Sequence, residues 1–167
     1  MFEKRSLLLR HQPGEICFPG GGIETSDRGT GIAALRETCE ELGLEMEDVE
    51  LIAPLDILVT PFNTIIYPYV GYIKNPAKMK PNYDEVEEVF YVPLNFLIKN
   101  KPIFKRLSFR MDVPEDLPFE LIPHGKDYPF RSATYALHFY IWKERVIWGM
   151  TARILNHFLN LLSTCDK

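Results

Sequence analysis

The chain has 167 residues, of which 46% are hydrophobic, and its 19 basic and 23 acidic side chains give a formal net charge of -4. This length and apolar content suffice for one substantial core, so we expect a single domain over residues 1–167. The acidic balance argues against a nucleic-acid binder and against a protein that binds membrane surfaces. An acidic protein can still bind phosphates when metal ions mediate the contact.

The cysteines and the N-terminal segment indicate in which cellular compartment the protein is expected. Cys17, Cys39 and Cys165 are widely spaced and form no CxxC pair, which indicates neither a disulfide framework nor a zinc site. The N-terminal segment lacks the cleavage pattern of an export signal, and no stretch approaches the ~18 apolar residues of a membrane span. We therefore expect a cytoplasmic protein without a membrane partner.

The first predicted elements are a short strand, a glycine turn and a helix. The strand "EICF" ends at "PGGG", and the helix runs from about Thr30 to Leu42. Gly43 follows it, and glycine is the residue favoured just past a helix end.

The rest of the chain is rich in strands. Residues 51–60 and 64–73 are β-branched and aromatic, and the spacer "PFN" between them indicates a turn, so they are predicted as paired strands with Pro68 at an edge or a bulge. The remaining predictions are a strand over 88–94, a short helical turn over 94–100, strands over 104–111 and 133–142, and a helix over 148–163. Strands between an early and a late helix predict a mixed sheet covered by helices on both faces.

The early helix carries three glutamates on one face. Glu37, Glu40 and Glu41 project together, and like charges four residues apart cost an isolated helix roughly 0.2 to 0.5 kcal/mol. A hard divalent cation bound by carboxylate oxygens would offset this repulsion. The alternative is a solvated acidic face, which is the commoner reason for a run of glutamates.

A glycine turn precedes these glutamates at a fixed distance, and the combination resembles the Nudix box, Gx5Ex7REUxEExGU, over about residues 20–44. Thr38 stands where an aliphatic residue is usual. The downstream half of the pattern is present as Arg36, Glu37, Glu40, Glu41, Gly43 and Leu44. By chance, a chain of this length would contain the five fixed residues of RExxEExG on the order of once in ten thousand.

The upstream half departs from the pattern. Five residues separate Gly21 from Asp27, and eight rather than seven then separate Asp27 from Arg36. Strict spacing would select Arg28, which cannot bind a cation, so Asp27 or Glu24 would have to supply the upstream acid.

The longer loop is similar to that of one Nudix branch, the coenzyme A diphosphatases. That branch carries RSxxLRxxxGxxxFPGG ahead of the box, and this chain reads "RSLLLRHQPGEICFPGG". Gln12 and Gly22 stand where many members have histidine and lysine. The resemblance implies a Nudix fold, an α/β/α sandwich with a mixed β-sheet.

The resemblance also implies roles for the residues of the box. Glu40 and Glu41 would be ligands of Mg2+ or Mn2+, and Glu37 would be a ligand or a hydrogen-bonding base. Arg36 would hold the glutamates in orientation, although its spacing also fits an ordinary surface ion pair. Gly20 or Gly21 would offer a backbone carbonyl to the metal, because glycine allows such a close approach.

Candidates outside the box are an acid and two arginines. Nudix enzymes often recruit a further acid, and Glu85 is our choice from the cluster "YDEVEE", which otherwise would be a solvated loop. Arg5 and Arg10 are candidates for the phosphates of the adenosine half, because their planar forks of N–H donors suit phosphate oxygens. Surface charges at a strand edge are the alternative.

The resemblance implies metal-dependent hydrolysis of the diphosphate of coenzyme A or an acyl derivative, giving 3',5'-ADP and 4'-phosphopantetheine. Two alternatives remain: a Nudix diphosphatase for ADP-ribose or a dinucleotide, and a non-catalytic ligand-binding domain. Relatives have a complete strand ahead of "RS", whereas only four residues precede Arg5 here. We therefore expect either a chain that starts inside the natural protein or a sheet lacking a strand, which the partner subunit of a homodimer would supply.

Overall fold

The computed structural model describes residues 1–61 and 63–165, so Phe62 of the predicted spacer and residues 166–167 lie outside it. Within these ranges the chain forms three α-helices and ten strands. The helices are α1 (Thr30–Leu42), α2 (Leu94–Lys99) and α3 (Gly149–Cys165). The strands are β1 (Phe2–Arg5), β2 (Ile16–Cys17), β3 (Val49–Pro54), β4 (Leu58–Val59), β5 (Ile65–Ile66), β6 (Tyr69–Ile73), β7 (Val86–Phe90), β8 (Ile103–Phe109), β9 (Ala133–Trp142) and β10 (Arg145–Ile147).

The strands pair in four groups. Two groups have three strands, in the orders β2–β1–β7 and β10–β9–β8, and the pairs β3–β6 and β4–β5 complete the set. The pairs registered in the described part of the chain are all antiparallel, so the parallel pair that a mixed sheet would add is not among them. Because β10 also lies beside β2, the two larger groups adjoin each other.

Two apolar clusters cover opposite sides of the sheet. Phe2 and Phe90 pack with Leu155 of α3, and Cys39 and Leu42 of α1 belong to the second cluster. Fully burying one such large side chain stabilises the fold by roughly 1.5 to 3 kcal/mol. Helices therefore lie on both sides of the strands, which agrees with the predicted α/β class and the α/β/α sandwich.

The early helix has the bounds that the sequence predicts, Thr30–Leu42. Gly43 ends it in the left-handed conformation, with a φ of 61°, and Leu44 N–H donates to the carbonyl of Cys39. A Cβ on Gly43 would lie 2.2 Å from the carbonyl oxygen of Lys80. Both the dihedral and this close approach require glycine.

The predicted pair 51–60 and 64–73 is confirmed as a pair, but each strand is interrupted. β3 pairs with β6 and β4 with β5, and Pro68 lies in the gap between β5 and β6. Its carbonyl accepts a hydrogen bond from Leu55 N–H at 2.8 Å. Because proline has no N–H to donate, it cannot continue the ladder, and the strands separate there.

The expectation of a missing strand ahead of Ser6 is wrong. Phe2–Arg5 forms β1, which lies in the middle of its group with β2 on one side and β7 on the other. The segment is short but paired on both edges, so the reason given for a strand from a partner subunit does not hold.

The remaining differences concern boundaries and one short strand. The strand predicted over 88–94 runs from Val86 to Phe90, while α2, β8 and β9 lie close to their predicted positions. β10, which the sequence analysis did not predict, pairs with β9 just before α3. Among the described helices none is long and apolar enough to cross a membrane.

Candidate functional site

Arg36 joins the turn before α1 to the glutamates on the helix. Its Nε and Nη2 donate to the two oxygens of Asp27 at 3.1 Å each, and Nη2 also donates to the carbonyl of Gly22 at 2.9 Å. Its Nη1 donates to Glu37 and Glu40 at 3.0 Å each. A guanidinium has five N–H donors, so every donor of Arg36 has an acceptor.

Asp27 closes the turn that leads into the helix. Its side chain is 3% exposed, and both oxygens accept from Arg36. The Glu24 N–H donates to Oδ2 at 2.7 Å, and the Asp27 N–H donates to the carbonyl of Glu24. The hydrogen bonds from Arg36 hold the pKa of Asp27 below its usual range. Asp27, a candidate for the upstream acid, is thus bound to Arg36, and Glu24 is exposed.

Glu41 is the buried glutamate of the helix, with 4% of its surface exposed. Its Oε2 accepts a hydrogen bond from the Gly20 N–H at 2.8 Å. Burial and, after it, the nearby carboxylates of Glu3, Glu37 and Glu85 together raise the pKa of Glu41 to about 8. Among the described residues the Glu41 carboxylate thus lies beside other acids and forms no ion pair with a lysine or arginine.

The glycine turn lies directly against Glu37. A Cβ on Gly21 would be 2.3 Å from Glu37 Oε2, so a side chain there would push the Glu37 carboxylate out of its present position. The structure thus brings the predicted residues Gly20 and Gly21 together with Glu37 and Glu41, whereas Glu40 is more exposed and reaches the group through Arg36.

The loop before β7 brings Glu85 to the same place. Asn82 N–H donates to the carbonyl of Glu41 at 2.9 Å, and Asn82 Nδ2 donates to Glu85 Oε1 at 3.4 Å. The Glu85 carbonyl accepts from Ser6 N–H, and its carboxylate raises the pKa of Glu3 as well as that of Glu41. Glu85, the exposed acid predicted outside the box, therefore lies near the carboxylates of Glu3 and Glu41.

The two predicted phosphate-binding arginines occupy different positions. Arg5 ends β1, its Nε donates to the His11 carbonyl at 3.4 Å, and its charge acts on Glu3. Arg10 is exposed in the loop between β1 and β2, and within the described ranges it has no hydrogen bond or ion pair to the carboxylates. Of the two arginines, only Arg5 thus lies close to these carboxylates.

The sequence analysis missed Glu3 and Cys17, which lie opposite each other on β1 and β2. Glu3 is 1% exposed, and its Oε1 accepts a weak hydrogen bond from the Cys17 thiol at 3.3 Å. Burial raises the pKa of Cys17 and keeps it a thiol. The sequence gives no signal for this burial, because a charged residue between Phe2 and Lys4 reads as a solvent-facing strand position.

The oxygen atoms of these residues are suitable ligands for a hard divalent cation, but their present positions do not form a complete binding site. Carboxylate oxygens and a glycine carbonyl are the ligands that Mg2+ and Mn2+ prefer, and the unbalanced negative charge around Glu41 favours a cation. Within residues 1–61 and 63–165, however, no three acidic, histidine or cysteine side chains stand close enough to hold an ion. Glu37 and Glu40 would have to turn away from Arg36 to bind one.

The family follows from comparison with known proteins. A family model described as "NUDIX domain" matches residues 2–110, which include the glycine turn, α1 and Glu85. The chain belongs to this family, as the sequence predicts, and its α/β architecture agrees with the Nudix sandwich.

Three relatives show which members of the family the chain is similar to. The chain is 38% identical over 106 residues to the peroxisomal coenzyme A diphosphatase NUDT7 of Mus musculus, which covers 64% of this chain and 45% of that protein. It is 33% identical over 169 residues to Nudix hydrolase 3 of Caenorhabditis elegans, covering 98% and 66%. The peroxisomal coenzyme A diphosphatase ndx-8 of the same worm is 34% identical over 98 residues, covering 58% and 42%.

The chain thus spans between 42% and 66% of the length of these three relatives. Two of these relatives are named as coenzyme A diphosphatases, the branch predicted from the sequence. Both names also describe the protein as peroxisomal. A cytoplasmic location therefore stays a prediction.

Proposed function

We propose that the chain is a diphosphatase that hydrolyses coenzyme A or acyl-coenzyme A to 3',5'-ADP and (acyl-)4'-phosphopantetheine, as a single domain over residues 1–167. The observation that carries the proposal is the group of carboxylates around Glu41, which is itself buried beside a glycine turn that donates a backbone N–H to it. The coenzyme A diphosphatase names of two relatives support the substrate.

The cation site would use Glu37, Glu40 and Glu41 with the carbonyl of Gly20. A bound Mg2+ or Mn2+ would neutralise phosphate charge and lower the pKa of an attacking water. Arg36 orients Glu37 and Glu40 through its hydrogen bonds and does not itself act on substrate. We assign Glu85 as the further catalytic acid from outside the box, because it is close to Glu41 and open to solvent.

Arg5 and Arg10 would bind the phosphates of the adenosine half. Arg5 has one N–H committed to the His11 carbonyl, and Arg10 is exposed on the loop that follows β1. Since a guanidinium offers five donors, Arg5 keeps N–H groups for a phosphate.

A second candidate is hydrolysis of another nucleoside diphosphate, such as ADP-ribose or a dinucleotide. Gln12 and Gly22 favour it, because both depart from the residues that the coenzyme A branch usually has, and both lie in the loops around the site. A non-catalytic domain is disfavoured, because such a domain has no use for buried carboxylates without a counter-charge.

The test is a substrate panel with purified protein and Mg2+, read by mass spectrometry. We expect coenzyme A and acetyl-coenzyme A to yield 3',5'-ADP, and dephospho-coenzyme A, which lacks the 3'-phosphate, to react more slowly. Faster turnover of ADP-ribose or NADH would instead favour the second candidate. Glu120→Gln, at an exposed position in the 3-10 turn Phe119–Leu121, serves as the matched control preparation.

A further inference from the structure

Glu3 lies on the side of the sheet that faces α1. Successive strand residues point to opposite faces, and Phe2 packs into the cluster beside α3. Glu3 is paired with Val89 of β7, and Val89 packs against the cluster of α1 that contains Leu42. Residues opposite each other on paired strands share a face. The Glu3 carboxylate is therefore directed towards the helix that carries Glu41.

The environment of Glu3 does not neutralise it. Its Oε1 has only the Cys17 thiol, and its Oε2 has no hydrogen-bond partner among the described residues, although the side chain is 1% exposed. Arg5 attracts it from two residues along the strand, but burial outweighs this attraction and raises the pKa of Glu3. An apolar residue at this position would avoid the cost of burying an unpaired carboxylate.

The charge of Glu3 reaches the candidate cation site. After burial itself, Glu3 is the largest cause of the raised pKa of Glu41, ahead of Glu37 and Glu85. Glu85 also acts on Glu3, so the three carboxylates of Glu3, Glu41 and Glu85 form one acidic group. Since no three such side chains in the described part of the chain can hold an ion together as they stand, Glu3 does not complete a ready-made ligand set.

We propose that Glu3 is a positioning residue of the cation site, whose buried charge behind Glu41 strengthens the binding of a divalent cation to the glutamates of α1. The inference rests on the proposed function, because the cation site is the same one. Glu3 acts through Glu41 rather than as a ligand. A cation bound by the glutamates of α1 would supply the counter-charge that the fold does not give this acidic group.

The experiment measures Mn2+ binding to the metal-free protein by electron paramagnetic resonance of the free ion and by calorimetry. We expect Glu3→Gln to raise the Kd for Mn2+ about tenfold, the scale of outer-shell partners, and Glu3→Asp to keep most of the affinity. Asp48→Asn is the matched control, because Asp48 is also buried but is paired with Lys78. Its Kd should equal that of the wild type.

Thermal unfolding without metal separates this role from a structural one. Glu3→Gln should melt no lower than the wild type, because it removes an unpaired buried charge, whereas Asp48→Asn should melt lower. If Glu3→Gln does not fold, Glu3→Met, which is apolar and similar in length, is compared with Glu3→Asp. Weak Mn2+ binding by the Met variant and retained binding by the Asp variant would support the proposal.

The outcomes distinguish the two proposals. An equal Kd for Mn2+ in the wild type and in the uncharged variant of Glu3 would overturn the role of Glu3 alone. A wild type that binds no Mn2+ would overturn the cation site together with Glu3. A wild type that binds Mn2+ but hydrolyses none of the diphosphates would overturn the proposed function, while a difference between the wild type and Glu3→Gln in Mn2+ affinity would stand.

Discussion

Two buried acids lie on either side of the end of α1, and their surroundings differ. Asp48, in the 3-10 turn Met46–Asp48, is 8% exposed and accepts from Lys78 Nζ at 2.5 Å, which lowers its pKa. Glu41 is 4% exposed, and among the described residues its carboxylate accepts only the Gly20 N–H. Burial and the surrounding carboxylates raise its pKa to about 8.

The difference is the one expected between a structural acid, Asp48, and a proposed metal ligand, Glu41. A buried carboxylate with its own lysine stabilises the fold locally, because its charge is matched where it lies. A buried carboxylate among like charges destabilises the fold until a ligand supplies the opposite charge. Burial alone would rank the two residues together, and only the sign of the neighbouring charges distinguishes them.

The largest expected effect comes from removing the ligating charges. Glu40→Gln combined with Glu41→Gln should lower kcat/KM for the best substrate by about a thousandfold, because the cation would lose two of its proposed carboxylate ligands. Asp48→Asn, which removes the other buried acid, should retain wild-type kcat/KM in the same assay. Comparable losses in the two variants would erase the distinction between the two acids.

The next effect concerns the residue that holds the glutamates. Arg36→Lys keeps the positive charge but cannot contact Asp27, Glu37 and Glu40 at once, so activity should fall about 10- to 100-fold. Arg28→Lys, at an exposed position of the same loop, should have no effect. Steady-state kinetics of both variants with the same substrate checks this, and equal activities would remove the positioning role of Arg36.

Gly43 lies in the chain between the two acids, and its replacement tests whether the turn that connects them requires glycine. Gly43→Ala places a Cβ 2.2 Å from the Lys80 carbonyl at a φ of 61°, so unfolding should become easier by about 2 to 4 kcal/mol. Gly22→Ala, whose Cβ would meet nothing within 4 Å, should change the unfolding free energy little. Urea unfolding of both variants measures the contrast, and similar midpoints would contradict it.

The smallest effect is the pH dependence of the metal-free protein. Folding raises the pKa of Glu41 from 4.5 to about 8, so between these values the folded chain binds more protons than the unfolded chain. The stability from Glu41 therefore falls as the pH rises through this window. For Asp48, whose pKa folding lowers, the stability is instead lost as the pH falls below about 4.

Glu41→Gln should thus flatten the decline in melting temperature between pH 5 and pH 8, and Asp48→Asn should leave that decline unchanged. Thermal melts in metal-free buffer across this range provide the measurement. An undiminished decline in Glu41→Gln would place the responsible proton elsewhere.

Local pattern made the helix and its glutamates predictable. The spacing of Glu37, Glu40 and Glu41 defines one helix face, and Gly43 marks the end, so the bounds of α1 follow from sequence. The family also follows, because the glycine turn and the helix are adjacent in the chain.

Contacts between segments that are distant in the chain could not be predicted from local sequence pattern. Lys78 neutralises Asp48 from 30 positions away, and Cys17 meets Glu3 only because β1 and β2 pair. The pairing of Asp27 with Arg36 was hidden by the extra residue in the loop, which made Asp27 look like a displaced ligand. β1 itself was missed, because four residues are too few to give a clear alternating pattern.

The saturation of Arg36 sets a condition on how ligands enter the site. A guanidinium whose N–H groups are all engaged has nothing to offer an incoming phosphate. A cation that drew Glu37 or Glu40 away would leave N–H groups of Arg36 without their acceptors. The cation and the guanidinium would therefore compete for the same two carboxylates, and the affinity for the metal would depend on how readily one arginine gives them up.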